Sequence, residues 1–416
     1  MIPDLLRRRR DFRRVWISGL VSMTGDWVTF TGLPLVVYDL TGSTLATGAM
    51  FLAGIVPRVA FGSLAGVLVD RWDRRRTLVA TNLLHAGALL PLLAVSSESE
   101  LWIVYLVAAA QSALGQLVEP AEGALLPRLV ERDELVAANA LNALNNNLAR
   151  LVGPVLGGVT VQAAGLSGVV VVDLVSFLAA AALVARVAPE HGRVAAAAAI
   201  DRVRGAIAAF WGDWLDGLRL LARTRLAAVL LGFAAVTGVG EGVMLTLFVV
   251  FVTDVLESGG AGYGLVISAQ AAGGLVGGVL VARLGGGITP VRLLAGSAVG
   301  VGLIDLCTFT YPLAWPVLWP AVALMVVVGF PFAALSAARA TLQQTAVEDA
   351  YLGRLLGTFG TTSALAMVVG IVIAGTLGQV VGIVALLVIQ SAAYVAAGLV
   401  VGVLLRPGAG EAAYES

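Results

Sequence analysis

Residues 66–76 read GVLVDRWDRRR, and residues 278–284 read GVLVARL. A six-residue string returns 212 residues later, about half of the 416-residue chain, with one change, Asp70 against Ala282. A second echo supports this register: Glu131, Gly153 and Gly158 precede Glu348, Gly370 and Gly375 by 217 residues each. Both copies of the first string close an apolar run. The pattern is that of one folding unit used twice in the same orientation, with the charged loop kept in one copy only.

Composition sets the solvent. Charged residues make up 12% of the chain, against about 25% in an ordinary soluble domain. Hydrophobic residues make up 59% and the mean hydropathy is +0.94. A soluble domain of this size could not hide that much apolar surface. The chain belongs in a bilayer. A net charge of zero gives no global field for nucleic acid. Cys307 is the single cysteine, which excludes a disulfide framework. All 26 basic residues are arginine, a coding bias of a GC-rich genome rather than a chemical choice.

A span needs about 20 mainly apolar residues. Twelve runs qualify, near 14–38, 45–69, 76–95, 101–126, 134–162, 166–187, 226–254, 262–284, 291–311, 316–338, 354–378 and 381–405. Arginines cluster before the first run, between the second and third, after the fourth, through 186–225, around 283–292 and at Arg406. The alternate loops carry none, so both termini and the central loop are expected in the cytoplasm of an inner-membrane protein. The expected organisation is a six-helix half over 1–187, a linker with an amphipathic helix over 188–225, a second half over 226–406 and a cytoplasmic tail, 407–416. In the linker Ile207, Trp211, Trp214, Leu218 and Leu221 recur at helical spacing, as in a helix lying on the inner membrane surface. Parallel repeats of this kind build transporters with a site near the bilayer midplane.

Gly66, Asp70, Arg71, Arg74 and Arg75 form a loop that resembles the motif between the second and third helices of the major facilitator superfamily. The usual glycine is Asp73 here. The resemblance covers the whole chain and implies an all-α membrane protein of twelve spans, two parallel six-helix repeats. It also implies that the aspartate and arginines act as a conformational gate, clasping cytoplasmic helix ends. Gly153, Pro154, Gly157 and Gly158 resemble the antiporter motif of the family's exporters, with Ala140 and Ala149 in place of two upstream glycines. The surrounding stretch from Pro127 to Pro154 is similar to the macrolide-efflux and siderophore-exporter branch. That favours export.

Ionisable residues inside a membrane are costly, so each is a candidate site. Asp26 lies twelve residues beyond Arg14, roughly 18 Å along the first span. It is the first candidate for a protonatable carboxylate, and Glu241, mid-way along the seventh span, is the second. The fourth span carries Gln111, Glu119 and Glu122 on one stripe, with Pro120 positioned to kink it. Gln111 stands where the resembled family often has an arginine. The fifth span aligns Asn139, Asn142, Asn146 and Arg150, and Asp26 is the expected partner of that deep arginine. Asp305 in the ninth span suits a structural pair or a role at the bilayer edge.

The chain has no Walker phosphate loop, no His/Cys metal spacing around His85 or His191, and no nucleophile–base pair. It is expected to be no enzyme, to hold no cofactor or metal, and to act as a monomer on a small molecule and protons within the lipid bilayer. The sequence reading is a proton-driven exporter of amphiphilic small molecules. An uptake symporter, a lipid flippase or a non-transporting sensor would fit the same pattern.

Overall fold

The computed structural model describes residues 2–69, 72–188, 224–284, 287–346 and 349–405, with Gly212, Trp214, Leu215, Gly217, Leu218 and Arg219. All regular structure among them is helical. Ten of the described helices are long and apolar enough to cross a bilayer, and Thr44–Arg58 forms a shorter apolar helix. Their outward faces carry large apolar side chains, such as Val175, Leu178 and Ile389, which lipid accepts and water would not. Trp102, Trp315 and Trp319 are exposed at the ends the sequence assigns to the outer loops, where indoles favour the membrane interface.

The chain folds as two compact units. The first contains α1 (Ile2–Arg8), α2 (Arg10–Thr41), most of α3 (Thr44–Val69), α4 (Arg74–Leu89), α5 (Leu101–Gly115), α6 (Val118–Leu129) and α7 (Leu135–Val184). Its centre is the long contact of α2 with α7. The helix α2 has 32 residues, about 48 Å of rise, more than a bilayer core requires. The 50-residue α7 bends back on itself at Gly165, whose φ of 59° and ψ of −155° suit only glycine. A methyl on Gly168 would lie 3.0 Å from Thr160 Cγ2. A straight helix would separate those residues by about 12 Å.

The fourth apolar run is not one helix. It breaks at Gln116–Leu117, between α5 and α6, a turn before Pro120. Proline has no N–H to offer the carbonyl four residues back, so the interruption falls at residue 116 rather than at the proline. The N-terminal α1 was not expected as a separate element. Leu5 and Phe12 bury against Leu126, Val130, Ala138 and Leu141, fastening α1 to the ends of α6 and α7.

The second unit contains α8 (Arg225–Val250), which runs on as a π turn over Phe251–Val255, then most of α9 (Gly260–Leu284), α10 (Pro290–Thr310), α11 (Leu318–Thr345), α12 (Asp349–Val381) and α13 (Ile383–Leu404). The residues Ser43–Gly48 belong to this unit, and Gly259–Ser268 belong to the first. From the linker, Trp214 Nε1 donates 3.4 Å to Thr362 Oγ1, and Gly217 is buried against Thr358. This part of the linker therefore seats on α12. Ile207, Trp211 and Leu221 lie outside the described residues.

Glycine contacts repeat at the offset seen in the sequence. In the first unit, a methyl on Gly153 would meet Thr24 O and Trp27 of α2, and one on Gly158 would overlap Gly260 of α9. In the second, Gly370 stands against Val239 of α8, and Gly375 against Thr44 and Leu45. Thr44 Oγ1 donates 2.9 Å to Gly375 O.

Candidate functional site

In the first unit the site begins on α2. Gly25 is buried, Asp26 is exposed and Thr29 is half-buried. A methyl on Gly25 would overlap Asp173 Oδ1 and Ser176 Oγ of the second arm of α7. Glycine therefore lets the Asp173 carboxylate reach the α2 backbone one residue from Asp26. Thr29 Oγ1 donates 2.5 Å to Asp173 Oδ2, and Ser176 Oγ donates 3.1 Å to Asp173 Oδ1. The charges of Asp173 and of Glu122, from α6, both act on Asp26. Three carboxylates thus share one region, two of them from the sequence reading. Asp173, only 1% exposed, is the one sequence reasoning missed. Its signal was available: it interrupts the run VVVVDLVSF, and the rule applied to Asp26 applies equally there.

The other candidates separate. Glu119, on the same helix as Glu122, is exposed. Arg150 places its guanidinium 5.9 Å from the centroid of the Trp27 ring, a cation–π arrangement with the neighbour of Asp26 in the chain. Gln111 binds His85: its Oε1 contacts the imidazole Nδ1, and its Nε2 donates 3.2 Å to His85 O. The ring stacks on Phe177 at 4.6 Å. His85 had no assigned role in the sequence reading. Asn139 and Asn146 are exposed, whereas the buried stripe of α7 runs through Ala138, Leu141, Asn145 and Ala149, one residue earlier in phase.

In the second unit Glu241 is half-buried on α8. The charge of Arg339, on α11, acts on it. A methyl on the adjoining Gly240 would lie 2.8 Å from Tyr394 Cε2, so glycine admits the tyrosine ring beside Glu241. Tyr394 OH donates 3.4 Å to Thr237 O. Asp305 is buried and accepts a hydrogen bond from Gln390, whose Oε1 accepts from Ser391 Oγ at 3.4 Å. Its polar contact is thus with α13.

Of the gate motif, Gly66 lies in α3, and Asp70 and Arg71 lie outside the described residues. Asp73 caps α4, its Oδ1 accepting 2.7 Å from Arg76 N. This gives a local reason for an acid where the resembled family has glycine. Arg74 opens α4, half-buried. Arg75 donates to Val184 O at 3.4 Å and to Ala185 O, and Arg14 donates 2.6 Å to Arg186 O. Two arginines thus satisfy the carbonyl end of α7, where a helix dipole favours cations.

The antiporter-motif glycines serve close crossings. Gly153 and Gly157 bring the first arm of α7 onto α2, where a methyl on Gly157 would lie 2.7 Å from Val28 O. Gly158 admits the start of α9. Pro154 is buried within α7, and its carbonyl faces Gly264 of α9.

Residues 6–415 match the family described as "Transmembrane secretion effector". The chain belongs to this family, within the major facilitator superfamily. As a major facilitator protein it is similar to macrolide efflux protein A of Streptococcus pyogenes, with 23% identity over 381 residues, 89% of this chain and 90% of that protein. It is 25% identical to the enterobactin exporter EntS of Citrobacter koseri over 415 residues, 97% of this chain and 93% of the exporter. In fold it is similar to a bacterial homologue of the iron transporter ferroportin in its inward-facing state, with a TM-score of 0.74 and 17% identity, covering 96% of this chain and 99% of that one. The protein is a membrane transporter of major facilitator type, and its relatives include efflux pumps.

Proposed function

We propose that this major facilitator protein exports amphiphilic small molecules from the cytoplasm in exchange for protons, by alternating access. The observation that carries the reading is Asp26: an exposed carboxylate in mid-span, within reach of the charges of Asp173 and Glu122. Protonated, such a group tolerates apolar surroundings. Deprotonated, it holds a cationic substrate or frees the site for one. Proton and substrate then compete, and competition for one group is antiport. Glu241 is the matching candidate in the second unit. We assign Gln111, which binds His85, Arg150, which lies over the Trp27 ring, and the exposed Asn146 and Glu119 to the substrate cavity of this half. Arg74 and Arg75, with Asp70 and Arg71, form the cytoplasmic gate.

The same reading counts twelve spans as two six-helix repeats. The two arms of α7 are two spans, α5 with α6 is one, and α3 is one. The close crossings at Gly153 and Gly158 within the first unit, matched by those at Gly370 and Gly375 within the second, support the repeat. Both termini and the linker face the cytoplasm of the inner membrane, and the working unit is a monomer. Efflux by the macrolide and enterobactin relatives supports export over uptake.

The test uses inverted membrane vesicles with an acid interior and a panel of macrolides, dyes and other amphiphiles. Addition of a substrate should dissipate the pH gradient only when the protein is present. Asp26→Asn and Glu241→Gln should abolish that response in folded protein. Wild-type dissipation in both variants would overturn the assignment.

A further inference from the structure

Asn145 lies on the buried stripe of α7 and is 3% exposed. Its Nδ2 donates 2.8 Å to Trp16 O. A carbonyl oxygen only accepts, so this bond fixes which end of the amide faces Trp16. Trp16 is itself held to α7, its Nε1 donating 2.9 Å to Leu141 O. The amide is therefore locked in orientation. Its other end, Oδ1, is buried with no hydrogen-bond partner among the described residues. A buried acceptor left alone has lost water and gained nothing in return.

Glu122 approaches the same amide across Gly19. Gly19 of α2 has no side chain, and a methyl there would lie 3.4 Å from Asn145 Nδ2 and 3.5 Å from Glu122 Oε1. An ionised carboxylate only accepts, so it can offer Asn145 Oδ1 nothing. A carboxylic acid carries one O–H donor. We propose that Asn145 is a positioning residue for a transported proton, accepting a hydrogen bond from Glu122 only when Glu122 is protonated. The proposal rests on the proton exchange inferred above and names Glu122 as a carrier. Proton arrival forms one O–H bond on the carboxylate and closes a contact between α6 and α7 beside α2. Proton release to solvent opens it. No other covalent bond changes.

Ionisable side chains on α6 and on the helices that pack against it include Glu119 and Arg128 on α6, Asp26 on α2, Arg150 and Asp173 on α7, Arg74, Arg75, Arg76 and His85 on α4, and Tyr105 on α5. Asn145→Ala leaves all of them in place, so a change in proton binding in that variant reports on the amide.

The experiment is a pH titration of the purified full-length protein by infrared difference spectroscopy, following the carbonyl stretch of protonated carboxyl groups. The part of the signal lost in E122Q belongs to Glu122. In N145A its midpoint should move to lower pH by about 0.7 unit, about fivefold weaker proton binding, the effect of one neutral hydrogen bond. E122Q serves as a second arm that leaves Asn145 and its Trp16 bond untouched. Its amide donates to Asn145 Oδ1 at every pH, so its Tm should stay at the acid-form value while that of the wild type falls as pH rises through the midpoint. An unmoved midpoint in N145A, no signal lost in E122Q, or a Tm for E122Q that tracks the wild type would each overturn the proposal. No substrate is needed. If the band moves as expected and vesicle efflux fails, the export reading falls and the Glu122–Asn145 pair stands.

Discussion

Thr29 donates a hydrogen bond of 2.5 Å to Asp173, from the first span to the second arm of α7. The bond joins the span that carries Asp26 to an acid that the sequence reading passed over. It makes Asp173 the fixed member of the carboxylate group and leaves Asp26, three residues from Thr29, as the exposed one.

Removing the donor should therefore cost stability. Thr29→Val leaves Asp173 buried with Ser176 as its remaining side-chain donor among the described residues. The expected loss is about 1.5–3 kcal/mol, the range for hydrogen bonds to charged groups. Chemical denaturation in detergent measures it, and an unchanged midpoint would remove Thr29 from the support of the site.

Asp173→Asn separates support from proton chemistry. The asparagine keeps one oxygen for the Thr29 hydroxyl, and Ser176 Oγ keeps its 2.8 Å bond to the backbone carbonyl of residue 173, so the variant should fold. It should lose substrate-driven proton flux in vesicles while still binding substrate. Full flux would make Asp173 a purely structural acid.

The glycines of the antiporter motif make a steric prediction. A methyl on Gly157 would lie 2.7 Å from Val28 O, a backbone atom that cannot step aside, whereas Gly232 on α8 has nothing within 4 Å. Gly157→Ala should destabilise by about 1–3 kcal/mol. Gly232→Ala should be neutral or stabilise by roughly 0.5–1 kcal/mol. Equal Tm values for the two variants would show that the crossing is looser than described.

Arg75 and Arg9 should differ although both bond at helix ends. Arg75 donates to two carbonyls at the end of α7, and Arg75→Ala should lower Tm, with Arg75→Lys a partial rescue because lysine lacks the planar fork. Arg9 pairs with Glu131 and with Glu134 at 2.9 Å at the surface. The hydrogen bonds it donates to Glu131 and then to Glu134 raise its already high affinity for a proton. On the arginine side the contribution is lost only in strong alkali, and on the side of Glu134, whose value is lowered, it is lost only as pH falls through the carboxylate range. Arg9→Ala should thus leave the pH dependence of stability near neutrality unchanged, as scanning calorimetry at several pH values would check.

Much of the fold was legible in the chain. Apolar runs of the right length gave the helices, because a bilayer admits a helix wherever about 20 apolar residues are contiguous. Glycine at position 165 marked the return between the fifth and sixth runs. Asp26 and Glu122 were identifiable because an acid in an apolar run stands out without any knowledge of packing. The break before Pro120 was displaced from its expected place by one turn, since the proline acts on a carbonyl four residues away.

The sequence alone determined the solvent, the family and which residues were costly to bury. Tertiary structure decided which of those residues meet. Asp173 joined the site only when Gly25 allowed two helices to touch, and a missing side chain carries no label for the helix it will admit. Asn145 replaced Asn146 as the buried asparagine because a helix turns about 100° per residue, and three consecutive asparagines do not say which one faces inward. Periodicity gives a stripe, but its phase comes from the neighbour it packs against.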